Sequence, residues 1–204
     1  MWKRCRRNAG STDSGNTRRQ KRNAGWTRAC VRLYAPTMND VIDTPVTVRR
    51  AEPADAATLA AMLAELATSE GKTVPPASEA QLAEWLGGDD PPFHALIAGR
   101  GGADLGYLVF YRTFSLFKAT PVLLVENIYV RHTARGLGVG RKLLTAAAGE
   151  AAARGWRRLE LNVRAENDSA AGFYRRLGFT KPGEEVRRLE DEALEALAEA
   201  GGDA

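Results

Sequence analysis

From residue 46 onward the chain alternates between helical and extended hydrophobic patterns. The spacing i, i+3, i+4, i+7, which places apolar side chains on one face of a helix, is found at Leu59, Met62, Leu63 and Leu66. Pro53 precedes this helix at a position suited to a first turn. Ser78 and Gln81 then form a capping-box pattern. That pattern predicts a second, short helix ended by the glycines at residues 87–88.

Extended apolar segments surround and follow these two helices and predict strands. They cover residues 46–48, 93–98, 105–113, 121–130, 158–163 and 186–189. Further helices are predicted over residues 138–154, 168–177 and 191–200. We expect Asp168 or Ser169 to cap the middle one of these three and Gly178 to end it. The order β-α-α-β-β-β-α-β-α-β-α indicates the α+β class, with a mixed sheet covered by helices on both faces.

The first 44 residues lack such a pattern, and we expect them to be a basic, disordered extension of a domain over residues 45–204. Residues 1–32 carry ten Lys or Arg against one Asp, so this segment has a charge of +9. Because the whole chain has a charge of +4, the remainder carries −5. An acidic body suits a cationic substrate. The extension has three interpretations: an upstream translation start with Met38 near the true beginning, a nucleic-acid-binding arm, or a transit peptide.

The cysteine and histidine content excludes several kinds of site. Both cysteines, Cys5 and Cys30, lie in the extension, so the body has no disulfide framework, thiolate metal site or cysteine nucleophile. His94 and His132 are far apart with no evident third ligand, and we expect no metal. No apolar run approaches the roughly 20 residues of a membrane span. We therefore expect a cytoplasmic protein without membrane association.

A glycine-rich turn between a predicted strand and a predicted helix is the most informative motif. The sequence Arg-Gly-Leu-Gly-Val-Gly occupies residues 135–140. Backbone N–H groups of such a turn and the positive end of the helix dipole converge on one point, which favours a pyrophosphate. Glycines also let the main chain approach the ligand closely. The sequence therefore predicts binding of a phosphorylated cofactor.

Spacing distinguishes this turn from two familiar phosphate-binding motifs. A P-loop needs Lys-Ser or Lys-Thr after its last glycine, but Lys142 is followed by Leu143. A dinucleotide-binding fingerprint needs G-x-G-x-x-G, and this run reads G-x-G-x-G. Glu160 could still take the place of the ribose-binding acid of such a site, although the element order is not doubly wound.

A second motif, N-x-x-A-x-x-F-Y-x-x-x-G-F, runs from Asn167 to Phe179, about 30 residues beyond the glycine turn. With R-G-x-G-V-G, it resembles the signature of the GNAT superfamily of acyl-CoA N-acyltransferases, and the similarity in element order extends over residues 46–200. Within that superfamily the chain is most similar to the spermidine/spermine (diamine) N-acetyltransferases. The segments that carry this similarity are Glu65-Leu66-Ala67 with Glu70, Phe110-Tyr111 with Phe114, and Val-Glu-Asn-Ile-Tyr-Val at residues 125–130.

This resemblance implies a single GNAT-type domain whose mostly antiparallel sheet splays between its two central strands. It also implies acetyl-CoA as acyl donor and transfer of its acetyl group to a primary amine by direct attack in a ternary complex. The acceptor would be a small molecule: a polyamine, a diamine or a lysine-like amino acid. A homodimer is expected by the same resemblance. The alternatives are a protein N-terminal or lysine acetyltransferase, and a non-catalytic module that binds coenzyme A or, through the basic extension, nucleic acid.

The resemblance also assigns roles to individual residues. The residues expected to bind the cofactor are Ile128, Tyr129, Val130, Arg135, Gly136, Leu137, Gly138, Val139, Gly140, Arg141 and Asn167. Tyr174 would be the general acid toward the coenzyme A sulfur, or it packs beside Phe173 as aromatic residues often do. Glu126, an acid inside an apolar strand, would be the base or an anchor for the amine, or a structural carboxylate at a strand bulge. Glu70 and Asn127 are expected to bind substrate with it, unless Glu70 is simply solvated at a helix end.

Overall fold

A computed structural model describes residues 44–73, 76–183 and 192–194. The strands are β1 Thr47–Arg50, β2 His94–Arg100, β3 Ala103–Ser115, β4 Thr120–Val130 and β5 Arg158–Leu161. The helices are α1 Ala56–Ser69, α2 Glu79–Gly87, α3 Val139–Ala153 and α4 Asp168–Arg176, with 3₁₀ turns at Pro53–Asp55 and His132–Ala134. The predicted strand over residues 186–189 lies outside the described residues. The predicted helix over residues 191–200 is described only at 192–194, which are helical.

The five strands form one sheet in the order β1-β2-β3-β4-β5. Neighbouring strands run antiparallel except for β4 and β5, which run parallel because α3 connects them. The α+β class and the mixed, mostly antiparallel sheet predicted from the sequence are thus confirmed.

Helices cover both faces of this sheet, as the hydrophobic pattern predicts. On one face, Met62 of α1 and Leu82 of α2 pack with Tyr107 and Tyr129 of the sheet. On the other, the apolar side of α3 packs on β3 and β4, and α4 adds its aromatic residues to that cluster. Within the described part of the chain, no helix has the length and apolar character needed to cross a membrane.

A bulge and a divergence interrupt the central strands at the same point. Val109 pairs with Asn127 whereas Phe110 pairs with Val125, so Glu126 is an extra residue on β4. Pairing between β4 and β5 extends only from Val122 to Val125. Beyond the bulge, residues 127–130 of β4 pair with β3 alone among the described strands, which leaves their other edge open. This divergence of β4 and β5 corresponds to the splay that the family resemblance implies.

The open segment of β4 is held in place by an unusually close backbone contact with β3. A Cβ atom on Gly106 would overlap the carbonyl oxygen of Tyr129 and would lie 3.2 Å from the Cα atom of Val130. Only glycine therefore permits β3 to approach this part of β4 so closely.

The start of α4 differs from the sequence prediction by one residue. Asn167, rather than Asp168 or Ser169, is the N-cap, because its Oδ1 atom accepts a hydrogen bond of 3.1 Å from the Ala170 N–H. The predicted cap was wrong because the asparagine amide oxygen is as good an acceptor for a helix N-terminus as a carboxylate or hydroxyl. Asp168 instead lies in the first turn, where its charge interacts favourably with the helix dipole.

Asp55, in the turn before α1, accepts three hydrogen bonds that should stabilise the fold in a pH-dependent way. Its two carboxylate oxygens accept hydrogen bonds of 2.6 and 2.7 Å from the Arg49 guanidinium, and Oδ2 accepts one of 2.8 Å from the Glu52 N–H. The hydrogen bonds from Arg49, aided by Glu52, lower the pKa of Asp55 below its ordinary value of 3.8. The ionised form is thus favoured by folding, and this stabilisation is present above pH 3.8 and lost as the pH falls below it.

We expect Asp55→Asn to reduce the free energy of unfolding by about 1 kcal/mol at pH 7, the typical net contribution of a hydrogen bond. Thermal unfolding should show a Tm difference from the parent protein that closes as the pH falls below 4. The control is Asp89→Asn, which removes an exposed carboxylate from a bend and should leave Tm unchanged at both pH values. An Asp55→Asn deficit of equal size at pH 3 and pH 7 would contradict this assignment.

Candidate active site

The glycine turn forms an exposed loop at the start of α3. Gly136 and Gly138 have φ angles of +79° and +76°, a backbone conformation that other residues rarely adopt. Gly138 is the N-cap of α3, and Val139, the next residue, is buried and anchors the helix in the core. The first N–H groups of a helix have no intrahelical carbonyl partner. These groups and the helix dipole make the exposed loop favourable for an anion.

Gly140 connects this loop to α4. A Cβ atom at Gly140 would lie 3.4 Å from the ring of Phe173 and 3.8 Å from the Val130 side chain. The first turn of α3 thus packs directly against the second sequence motif and against the last residue of β4. The two motifs from which the resemblance was drawn are neighbours in space.

Tyr174 lies on α4 with its ring among other aromatic rings. Its ring centroid is 5.3 Å from that of Phe173 and 5.6 Å from that of Phe179. Burial raises the pKa of Tyr174 above its ordinary value of 10.0. The phenol therefore keeps its proton throughout the neutral range, as a proton donor must. The packing of Tyr174 beside Phe173, given above as the alternative to an acid role, is present as well.

Glu126 is exposed on the bulge of β4 and has a phenol as its neighbour. The hydroxyl of Tyr111, on β3, donates a hydrogen bond of 3.3 Å to Glu126 Oε2. Burial raises the pKa of Tyr111, and the negative charge of Glu126 adds to this effect. The strand bulge that a structural role for Glu126 requires is present. The Glu126 carboxylate is also exposed and therefore accessible to a ligand.

Tyr129, also on β4, points toward α1. Its hydroxyl donates a hydrogen bond of 3.0 Å to Glu65 Oε2, and Nη2 of Arg131 lies 3.3 Å from Glu65 Oε1. Burial and the bond to Glu65 raise the pKa of Tyr129. Because the Tyr129 side chain is bonded to Glu65 of α1, Tyr129 would contact a cofactor through its backbone. Sequence reasoning did not single out Arg131, whose only signal is its position directly after an apolar strand.

At the end of α1, Glu70 lies between two cationic side chains. Its Oε2 atom is 3.0 Å from Nζ of Lys72 and 3.7 Å from Nη2 of Arg164. The buried ring of Tyr107 is nearby, and burial together with the charge of Glu70 raises the pKa of its phenol. The Tyr107 hydroxyl has no hydrogen-bond partner among the described residues. Sequence reasoning singled out Glu70 but not Arg164.

The remaining predicted site residues are placed around the same region. Ile128 and Val130 direct their side chains into the core beneath α3 and α4. Leu137 and Arg141 are exposed on the loop and the first turn of α3, while Asn127 pairs with Val109 in the sheet. In the part of the chain that the structure describes, no group of three or more His, Cys, Asp or Glu side chains is arranged to hold a metal ion.

The open edge of β4 thus ends close to the N-terminus of α3, whose unpaired N–H groups suit an anion. The chain belongs to the acetyltransferase (GNAT) family, whose model matches residues 59–179. It is 30% identical over 167 residues to a thialysine N-epsilon-acetyltransferase of Bos taurus, a match that covers 75% of this chain and 97% of the relative. An L-ornithine N5-acetyltransferase of Arabidopsis thaliana is 33% identical over 93 residues, 45% of this chain and 41% of the relative.

The solved structure of an integron cassette protein from V. cholerae shares the fold. It superimposes with a TM-score of 0.65 at 24% identity, covering 75% of this chain and 97% of that one. The chain is therefore an acetyltransferase, and enzymes of its family use acetyl-CoA as acyl donor to acetylate amines.

Proposed function

We propose that this enzyme transfers the acetyl group of acetyl-CoA to the terminal primary amine of a small molecule, by direct attack in a ternary complex. The acceptor class comprises polyamines, diamines and lysine-like amino acids. The observation that carries the proposal is the open edge of β4 over residues 126–130, which begins at the exposed carboxylate of Glu126 and leads toward the glycine loop. A donor and an acceptor bound at this edge would meet beside Glu126.

The residues around this edge fit acetyl-CoA. The loop from Arg135 to Gly140 would hold the pyrophosphate through its N–H groups, with Arg141 adding positive charge. The backbone groups of Ile128, Tyr129 and Val130 lie on the open edge and would bind the amides of the pantetheine arm as a neighbouring strand would. Asn167 would support this arm from the start of α4. When bound, acetyl-CoA supplies the activated acetyl thioester.

Two side chains would accept and donate the protons of the reaction. A primary amine is a nucleophile only after its ammonium form loses a proton, and the carboxylate of Glu126 would accept that proton directly or through water. Tyr174 would hold a proton at its Oη atom for the leaving sulfur, since its raised pKa keeps the phenol neutral. Glu70 and Asn127 would contact the rest of the acceptor.

The relatives support a side-chain amine as the acceptor group. The bovine relative is named for the ε-nitrogen of thialysine, and the Arabidopsis relative for N5 of L-ornithine. Both names specify a side-chain nitrogen of an amino acid, which is chemically equivalent to the terminal amine of a diamine.

The test is release of the coenzyme A thiol from acetyl-CoA by the full-length protein, measured with spermidine, putrescine, L-ornithine and L-lysine. We expect acetylation of at least one of these amines. A peptide with a free N-terminus and an internal lysine serves as the comparison acceptor. Activity with the peptide alone would replace the proposal by the protein acetyltransferase alternative. Silence with every acceptor, together with a coenzyme A-induced rise in Tm, would favour the non-catalytic module.

A further inference from the structure

We propose that Glu70, Lys72 and Arg164 form a subsite for the zwitterionic end of an amino acid. Arg164 and Lys72 would bind the α-carboxylate, and Glu70 would accept hydrogen bonds from the α-ammonium group. The inference rests on the proposed function and narrows its substrate class. The enzyme would acetylate the side-chain amine of a diamino acid in preference to a polyamine or diamine.

The charge of this cluster argues for a carboxylate ligand. One carboxylate lies within ion-pair distance of both an ammonium and a guanidinium, at 3.0 and 3.7 Å, so the three side chains together carry +1. A second ammonium group of a polyamine would be repelled by this net charge. A zwitterion instead offers each charged side chain a partner of opposite sign, and a planar guanidinium binds carboxylates particularly well.

The cluster is also incompletely satisfied in the structure. The contact of 3.7 Å between Arg164 and Glu70 is longer than a hydrogen bond, and the Arg164 side chain is 51% exposed, so most of its donors are available to a ligand. Beside the cluster lies the hydroxyl of Tyr107, a residue that is 1% exposed. This hydroxyl has no partner in the described part of the protein, although buried polar groups normally have one.

The position of the cluster suits the far end of an acceptor. Glu70 is the C-cap of α1, and Arg164 follows β5 by three residues. The pair therefore links the end of α1 to the segment that follows β5, the strand that diverges from β4. Glu126 lies at the start of the free edge of β4, and in the proposed arrangement an acceptor would place its reacting amine at Glu126 and extend toward the cluster.

The second acid on this side of the sheet is likewise neutralised. Glu65 interacts with Arg131 and with the hydroxyl of Tyr129. Within the described residues Glu126 has a neutral phenol and no cation as its neighbour. Glu126 is thus the one carboxylate of this group that is not neutralised by a cation, and it suffices for one reacting amine. A polyamine would need a second such carboxylate for its second ammonium group.

The experiment compares amines that differ only by a carboxylate: L-ornithine against putrescine, and L-lysine against cadaverine. With the full-length protein, kcat/KM should be higher for the amino acid in the better-used pair. In Arg164→Gln, kcat/KM for the amino acid should fall roughly tenfold or more, the usual effect of losing a charge-assisted hydrogen bond, while the diamine changes little. Arg157→Gln is the matched control, since Arg157 is exposed just before the opposite end of β5.

The outcomes separate the subsite from the reaction. A wild-type preference for the diamine, or an amino acid to diamine ratio that is unchanged in Arg164→Gln, overturns the subsite and leaves the proposed function standing. Failure to acetylate any of these four amines or spermidine overturns both. Thermal unfolding of each variant shows whether a loss of kcat/KM reflects unfolding, and the diamine rate in Arg164→Gln reports an intact catalytic centre in the same sample.

Discussion

Replacing Tyr174 with phenylalanine should leave binding of coenzyme A intact and lower kcat about 100-fold or more, the range over which general acids contribute. The substitution keeps the ring and therefore its contacts with Phe173 and Phe179. It removes only the hydroxyl, whose pKa is raised by burial and which is therefore protonated at neutral pH. Steady-state kinetics would give kcat, and a coenzyme A-induced rise in Tm would report binding.

The pH dependence provides a second measure of the same group. Because the pKa of Tyr174 is raised, the midpoint of the alkaline decline of kcat should lie above the ordinary value of 10.0. In Tyr174→Phe that decline should be absent. Phe179→Leu is the packing control: it removes a ring contact but keeps the phenol, so it should reduce Tm more than kcat. Full kcat in Tyr174→Phe would leave this tyrosine with its packing role alone.

Replacing Glu126 with glutamine should lower kcat/KM by about 100-fold, because the acceptor ammonium loses its proton acceptor while the shape of the site is kept. The deficit should be largest at low pH, where nearly all of the amine carries its proton. Initial rates measured from pH 6 to pH 9 test this. Glu84→Gln, on the exposed side of α2, is the matched control and should be indistinguishable from the parent protein. A variant with an unchanged rate and pH profile would show that Glu126 has a structural role at the bulge.

Tyr111 helps to separate these two roles of Glu126. Its hydroxyl is the hydrogen-bond partner of the carboxylate, so Tyr111→Phe removes an orienting contact without removing the base. If Glu126 is the base, this variant should lose less activity than Glu126→Gln. Equal losses would point to the geometry of the bulge rather than to proton transfer.

The fold was predictable where local patterns determine the structure. The capping box at Ser78 and Gln81 is present, with both of its reciprocal hydrogen bonds. The helical spacing from Leu59 to Leu66 marks the buried face of α1, and the glycine turn lies at the N-terminus of α3 as expected. Each of these signals depends on neighbours within a few residues, which the sequence displays directly.

The arrangement around the acceptor was not predictable in the same way. Glu65 contacts Tyr129 and Arg131, and Glu70 contacts Arg164, which is 94 positions away. Such contacts depend on the register of β4 against β3 and on the direction in which β5 leaves the sheet. The bulge had a signal, because the apolar residues that face α3 shift from Leu123 and Val125 to Ile128 and Val130, which breaks the alternation by one residue. An isolated sequence, however, gives no partner strand that would locate the bulge. The homodimer and the roles assigned to the site residues remain predictions.

The divergence of β4 and β5 has a consequence for the behaviour of the protein in solution. An unpaired strand edge is a site at which another polypeptide can add as a strand, and proteins ordinarily protect such edges. Here residues 126–130 cannot be covered by β5 without closing the opening on which catalysis would depend. If acetyl-CoA binds along this edge as proposed, we expect the protein to self-associate most readily when it is empty, and its solubility to rise when its acyl donor is supplied.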